Sequence, residues 1–364
     1  MMKRHGIHMK YQKGLSLIEL MIALVIGLLL VAATVQMFVG SRVTYSMQNE
    51  LAKVQENARF AMNFISRDLR MAGYIGCTKH LTIANTLRDT ANGDAAHGEY
   101  DLSVPIAIEN NYASTSGTSI ELPSNASPSD GTDIVSIKFS DTEGACSVTD
   151  HNTSSAVMTC TGHDFVTGQV LLVSDCKKAA IIQHTGGNPN KVVHNTGNSV
   201  SPGNCTKGLG LPIVCSTQGT AEDFTGGTVM LLRNYTYYID QNSFGVPALY
   251  RTSIGVTDKN ATLSQQELVE GVENMQVLLG LDADDDGAAD CFKSSVSRCA
   301  SSDSVTVTED NIVAIRVSLV IRSIANNVTS TPQSYVLNGV TITPTDNYLR
   351  KVFTSTVTLR NRTL

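Results

Sequence analysis

The sequence predicts an α+β chain in which one long N-terminal α-helix, membrane-spanning in its first half, packs on an antiparallel β-sheet with loop insertions and disulfides. Three observations lead there: a charge-free apolar run over residues 20–41, an apolar stripe of helical period continuing to about residue 72, and short β-branched stretches after Cys77. With 364 residues, 42% of them apolar, no Trp and a formal net charge of −6, the chain is neither wholly disordered nor a polytopic membrane protein. Its acidic balance provides no general attraction for a phosphate backbone, so nucleic acid is not an expected partner.

The first element is a basic leader. MMKRHGIHMKYQKG, residues 1–14, carries Lys3, Arg4, Lys10 and Lys13 and no acid, which keeps this end in the cytoplasm. The run LMIALVIGLLLVAATVQMFVGS follows over residues 20–41. As a helix it spans roughly 33 Å, about one bilayer core. A secretory signal peptide cut before Thr34, or a plain single-pass anchor, would account for that hydropathy. Neither accounts for Glu19, a carboxylate at the edge of the apolar run, where an unpaired charge costs on the order of several kcal/mol.

The stretch Lys13-Gly14-Leu15-Ser16-Leu17-Ile18-Glu19-Leu20-Met21 resembles the class III signal of type IV pilins and type II secretion pseudopilins, with a basic leader ending in Gly and a Glu five residues past the cut. The resemblance implies cleavage by a prepilin peptidase between Gly14 and Leu15, N-methylation of Leu15, and a helix that stays attached. Removing the leader takes away four positive charges and no negative one, moving the formal charge from −6 to −10. In a bundle of such helices Glu19 is expected to neutralise the free α-amine of an adjacent subunit and so fix register during filament assembly.

Beyond the membrane segment, Val43, Met47, Leu51, Val54, Ala58, Met62, Ile65, Leu69 and Ala72 recur every three or four residues, one stripe of an amphipathic helix ending near Gly73. The helix is expected over residues 16–72, and the organisation as leader 1–14, helix 15–73 (transmembrane 20–41, amphipathic 42–73) and globular extracytoplasmic domain 74–364.

Val54-Gln55-Glu56-Asn57-Ala58-Arg59-Phe60-Ala61-Met62 and Arg67-Asp68-Leu69-Arg70-Met71-Ala72-Gly73-Tyr74-Ile75-Gly76-Cys77 resemble the helix end of the PilW family of type IV pilus minor pilins. So do Val173-Ser174-Asp175-Cys176, the stretch from Leu268 through Val277, and the C-terminal Val352-Phe353 to Leu359-Arg360-Asn361-Arg362. One departure is Leu279-Gly280, where an aromatic would precede the Gly. The resemblance implies a pilin-like fold and a minor pilin at or near the filament tip that helps prime assembly. Implied partners are other minor and major pilins, the prepilin peptidase, the inner-membrane assembly machinery and a tip adhesin. The implied location is the inner membrane, N-terminus cytoplasmic and domain periplasmic, and then the pilus surface. A J-type pseudopilin of type II secretion, a tip adhesin and a DNA-uptake module are the alternatives, with Lys177-Lys178 as a local basic pair that also reads as a solvated turn.

Within the globular region, strands are expected at 133–140, 168–174, 228–240, 312–323 and 351–360, and loops at 93–125 and 185–212. Cysteines stand at Cys77, Cys146, Cys160, Cys176, Cys205, Cys215, Cys291 and Cys299, with no CxxC and no His at zinc spacing. Four disulfides suit an oxidising compartment. Short loops suggest Cys146–Cys160, Cys205–Cys215 and Cys291–Cys299, leaving Cys77 with Cys176, although eight Cys permit about 105 pairings.

Asp282, Asp284, Asp286 and Asp290, with Gly287 at the turn, match the first half of a calcium loop, in which alternating carboxylates converge on one hard cation. Lys293 stands where an EF-hand would place its bidentate Glu, and a solvated acidic turn explains the same residues. Calcium is the one cofactor the sequence suggests. The eight His include none in a nucleophile or metal motif and are expected as isolated surface or loop residues. No G-x-S-x-G, HExxH or phosphate loop occurs, so no catalytic residue and no enzyme is predicted.

Overall fold

The computed structural model of the chain describes residues 14, 16–77, 81–88, 98–197, 199–299 and 308–361. Helix α1 (Leu17–Met71) begins at the N-cap Ser16 and ends at the C-cap Ala72. Gly73, at φ +72°, then turns the chain left-handed, a conformation that glycine adopts without steric cost. The buried stripe is Val54, Ala58, Ala61, Ile65 and Leu69, with Leu51 and Met62 half-buried. Val43 and Met47, expected in that stripe, are exposed, because those turns of the helix stand clear of the sheets.

The strands are β1 (Ile83–Asn85), β2 (Ile106–Glu109), β3 (Ile134–Ser147), β4 (Asp150–Asn152), β5 (Val157–Thr159), β6 (Val170–Ser174), β7 (Ala179–Gln183), β8 (Lys191–Val193), β9 (Thr228–Gln241), β10 (Pro247–Thr257), β11 (Asn260–Glu270), β12 (Val272–Leu281), β13 (Cys291–Lys293), β14 (Ile312–Arg322), β15 (Tyr335–Leu337), β16 (Val340–Ile342) and β17 (Arg350–Thr358). They form an eight-stranded sheet ordered β1-β7-β6-β9-β10-β11, with β3 along the other edge of β9 and β2 on β3. A four-stranded antiparallel sheet runs β13-β12-β14-β17, beside a β4-β5-β8 sheet and a β15-β16 hairpin.

The single antiparallel sheet expected from the sequence is therefore two large sheets, one of them mixed, since β1 pairs parallel with β7. The two meet at Asp133. Its amide donates to the Met275 carbonyl, and its carboxylate accepts from the Val277 amide at 2.6 Å and the Asn111 amide at 2.8 Å. Burial pushes the Asp133 carboxyl up, against the pull of those two amides.

The main core lies under α1. Val135, Ile137, Tyr237 and Ile239 of the larger sheet and Met275, Val277, Ile315 and Val317 of the smaller one converge on the helix stripe. These residues alternate along their strands, as one buried face requires. The five expected strands exist with shifted ends. Among the strands missing from the expectation, β11 and β12 carry Gln, Glu, Asn and Met residues of little β-propensity and gain their strand state from pairing, whereas β10 is rich in β-type Leu, Tyr, Thr, Ile and Val that the expectation passed over. The segments expected as loops contain β2 and β8.

Candidate functional site: the helical anchor and its docking junction

The N-terminus of α1 is built by Ser16 and Glu19. The Glu19 amide donates to Ser16 Oγ at 3.3 Å, and Glu19 Oε2 accepts from the Ser16 amide at 2.9 Å and from its hydroxyl at 3.0 Å. This is a reciprocal capping box, which satisfies helix N–H groups that have no partner inside the helix. The S-x-x-E spacing of Ser16-Leu17-Ile18-Glu19 is its sequence signal, which the pilin-signal reading of Glu19 passed over. Gly14, at the expected leader junction, is exposed, whereas Leu15, the expected methylation position, lies outside the described residues.

From Leu17 to Val43 the apolar side chains face outward, Leu17 and Met37 each 79% exposed. Among the described residues α1 is the one helix long and apolar enough to cross a membrane. An apolar surface of this extent is stable only against lipid or against other helices of its kind.

The second half of α1 is fixed to the sheets by polar side chains. Asp68, 2% exposed, accepts from the Tyr237 hydroxyl at 2.5 Å, from Arg251 Nη1 at 3.3 Å and from Arg67 Nε at 3.2 Å. Burial and the Asp68 charge push the Tyr237 phenol far up, so it stays a donor. Asn57 Nδ2 donates to the Glu270 carbonyl at 3.0 Å. At the helix C-terminus, Asn361 Nδ2 donates to the carbonyl of Ala72 at 3.1 Å and to that of Met71 at 3.4 Å, which also accepts from the Tyr74 amide at 2.9 Å. Behind this junction Arg350 bridges Glu273 and Asp346 with four hydrogen bonds between 2.5 and 2.9 Å. Gly271, at φ +80°, sits so close to the Arg322 carbonyl that a Cβ would lie 2.8 Å from it. Residues far apart in sequence, from the 268–277 segment, β9 and the C-terminus, thus meet along the second half of α1.

Four disulfides close the chain: Cys77–Cys176, Cys146–Cys160, Cys205–Cys215 and Cys291–Cys299, with Cα–Cα separations from 4.8 to 5.7 Å. This is the short-loop pairing. Cys77–Cys176 ties the segment leaving α1 to the end of β6.

In the acidic loop, carboxylate oxygens of Asp282, Asp284 and Asp290 lie within 4.8 Å of one another, close enough to share a cation. Asp286 is not in that group. Its carboxylate turns to the Ala288 amide at 2.8 Å, so the expected set of four contracts to three. Asp282 is buried and accepts from the Gly287 amide at 2.8 Å. Repulsion from Asp286 and then Asp290 holds the Asp284 carboxyl above its usual range.

Two further expectations change. His151, His163, His184 and His194 are buried rather than exposed on loops, while His5, His8, His80 and His97 lie outside the described residues. Of the basic pair, Lys178 is engaged by Glu222 at 2.5 Å and by Asp175 at 3.7 Å. Only Lys177 remains exposed, with no salt-bridge partner among the described residues, which removes most of the local charge a DNA contact would need.

A capped apolar helix, bare in its first half and sunk at its end into antiparallel strands closed by disulfides, is a pilin-like architecture that fits a membrane-anchored subunit. Residues 236–361 match the family described as Type IV Pilus-assembly protein W, and residues 9–35 match the Prokaryotic N-terminal methylation motif. Together the two matches support reading the chain as similar to the PilW family of type IV pilins with a prepilin signal. The longer match contains Tyr237, Arg251, Glu273, Arg350 and Asn361, all of the docking junction. No curated protein and no solved structure matches the chain.

Proposed function

We propose that the chain is a minor pilin that helps prime pilus assembly at or near the filament tip, and is not a bulk subunit. The observation that carries the reading is the size of the domain mounted on the docked helix: two large sheets, a third small sheet and four disulfides. A repeating subunit has to fit neighbours on every side, whereas a terminal subunit is free of that constraint on its outer face. Before assembly the helix lies in the inner membrane with its basic end cytoplasmic and the domain periplasmic; afterwards the domain stands on the cell surface. Partners are other pilins, major and minor, together with the prepilin peptidase and the assembly machinery.

In this reading Glu19 has two successive partners. In the lone subunit its charge is held by Ser16, and in the filament it meets the α-amine of a neighbouring subunit. Mass spectrometry of the mature N-terminus tests processing: methylated Leu15 is expected, and a start at Thr34 overturns the account. Deleting the chain is expected to reduce surface pili without abolishing major pilin synthesis, and immunogold labelling is expected at filament ends. Labelling along the whole shaft would make it a bulk subunit.

The Asp282, Asp284 and Asp290 convergence is proposed as a calcium contact that stiffens the loop closed by Cys291–Cys299.

A further inference from the structure

All four histidines among the described residues sit in one lobe. It consists of the β4-β5-β8 sheet and the 205–224 loop packed over β6 and β7, around Met158, Leu171, Ile182, Val192, Leu209 and Phe224. Neither family match covers it.

Each of these imidazoles accepts a hydrogen bond. His151 Nδ1 accepts from the Phe224 amide at 3.1 Å, His163 Nδ1 from the Phe165 amide at 3.2 Å, and His184 Nδ1 from the Val193 amide at 3.3 Å. A neutral imidazole that accepts at Nδ1 carries its proton on Nε2. His151 Nε2–H therefore points at His194 Nε2, 3.0 Å away, and His194 must accept there. This chain of donors fixes every tautomer in the pair. It leaves the His194 Nδ1 proton, like that of His163 Nε2, buried without a partner.

None of the four has a nitrogen free to take a second proton in place. A proton on Nδ1 of His151, His163 or His184 would set N–H against N–H, and so would one on Nε2 of His194. The bonds lost would be ties between segments: His151 joins β4 to the 223–224 turn, and His184 joins the end of β7 to β8.

We propose that this lobe is an acid-released element: in acid His151, His184 and His194 take up protons, their mutual and backbone hydrogen bonds fail together, and the lobe opens while the helix–sheet core stays closed. Cys146–Cys160 and Cys205–Cys215 keep the opened segments tethered, so that closure on neutralisation is reversible. The ties of the core, around Asp68 and Arg350, contain no histidine.

The charges around the histidines act in both directions. Asp223, 3.7 Å from His151 Nδ1, and Asp150 favour a cation there, and Lys178 opposes it. His194 faces His151 and Lys207, and His184 faces His163, all of which oppose protonation. Burial outweighs the two carboxylates and holds His151 below its usual 6.5. It takes His184 to about 4 and His194 to about 3. With folded values lowered, the stabilisation is complete above the unfolded value of 6.5 and is lost as pH falls from there towards 4 and 3.

Hydrogen exchange read by mass spectrometry on the full chain in detergent micelles, from about pH 7.5 down to about pH 4.5 and corrected for the intrinsic exchange rate, tests this. Peptides covering β4, β5, β7, β8 and the 218–227 turn are expected to lose about tenfold or more of their protection, with α1 residues 54–70, β12 and β14 unchanged. Constant protection in the lobe overturns the proposal, and so does loss of lobe and core in one step. His184→Asn keeps an acceptor for the Val193 amide but does not titrate, and is expected to move the opening midpoint to lower pH. An unmoved midpoint in a folded variant overturns the assignment to these side chains; if the variant does not fold, the wild-type profile decides alone.

Discussion

The Tyr237 hydroxyl donates to the Asp68 carboxylate at 2.5 Å, joining the last turns of α1 to the centre of β9 across the main core. Asp68 is nearly sealed from water, so its charge is tolerable only while Tyr237, Arg251 and Arg67 all donate to it. Tyr237→Phe is expected to destabilise the chain by about 1.5–3 kcal/mol, the range for a bond to a charged group. Asp68→Ala is expected to cost more, because Arg251 then loses its carboxylate. A double-mutant cycle in urea should give a coupling of at least about 1 kcal/mol; additive losses would mean that the two side chains do not act together.

Glu19 and Ser16 separate capping from assembly. Ser16→Ala removes the hydroxyl that accepts from the Glu19 amide but keeps the carboxylate. It should cost about 1 kcal/mol of local helix stability and leave piliation near normal. Glu19→Ala should leave cleavage and membrane insertion intact and lower incorporation into sheared pili. Equal assembly defects in the two variants would assign the whole effect to the cap.

Removing Asn361 exposes the end of α1. Its side-chain amide holds the Met71 and Ala72 carbonyls, so Asn361→Ala should cost about 0.5–1.5 kcal/mol and raise hydrogen exchange over residues 66–74 ahead of the sheets. Unchanged exchange there would show that the turn at Gly73 suffices as a stop.

Gly271→Ala should be among the most damaging small substitutions. A methyl group there would lie 2.8 Å from the Arg322 carbonyl at a left-handed φ of +80°. Both penalties act between β12 and β14, and a loss of about 2–4 kcal/mol by thermal or urea unfolding is expected. Normal stability would mean that the β11–β12 turn relaxes freely.

Calcium added to the full chain in detergent should raise the melting temperature and slow proteolysis between residues 282 and 299. Asp282→Asn should abolish both effects, and Asp286→Asn should weaken them little, because Asp286 lies outside the converging group. No response to millimolar calcium would reduce the loop to a solvated acidic turn.

The sequence by itself determined the parts whose physics is local. Leader charge, a charge-free run of bilayer length, the Gly14–Glu19 spacing, the helical period and the Gly73 stop are each set within a few residues, and each can be read without knowing what lies opposite. Disulfide pairing was only suggested by three short loops, and the fold decided it, Cys77–Cys176 closing across 99 residues. The capping role of Glu19 was also local, written in the S-x-x-E spacing beginning at Ser16. Only the tertiary structure decided the rest. Strands β11 and β12 exist because neighbours supply their hydrogen bonds, and the two sheets are joined where Asp133 reaches Val277, 144 residues away. Asp68, plain in a helical repeat, became the centre of the junction when Tyr237 and Arg251 arrived from 169 and 183 residues further along. The histidines show the same division: spacing marks no motif, and their burial and mutual hydrogen bonds arise only when β4, β7 and β8 fold together, since contacts between distant segments are chosen by packing and not by local preference.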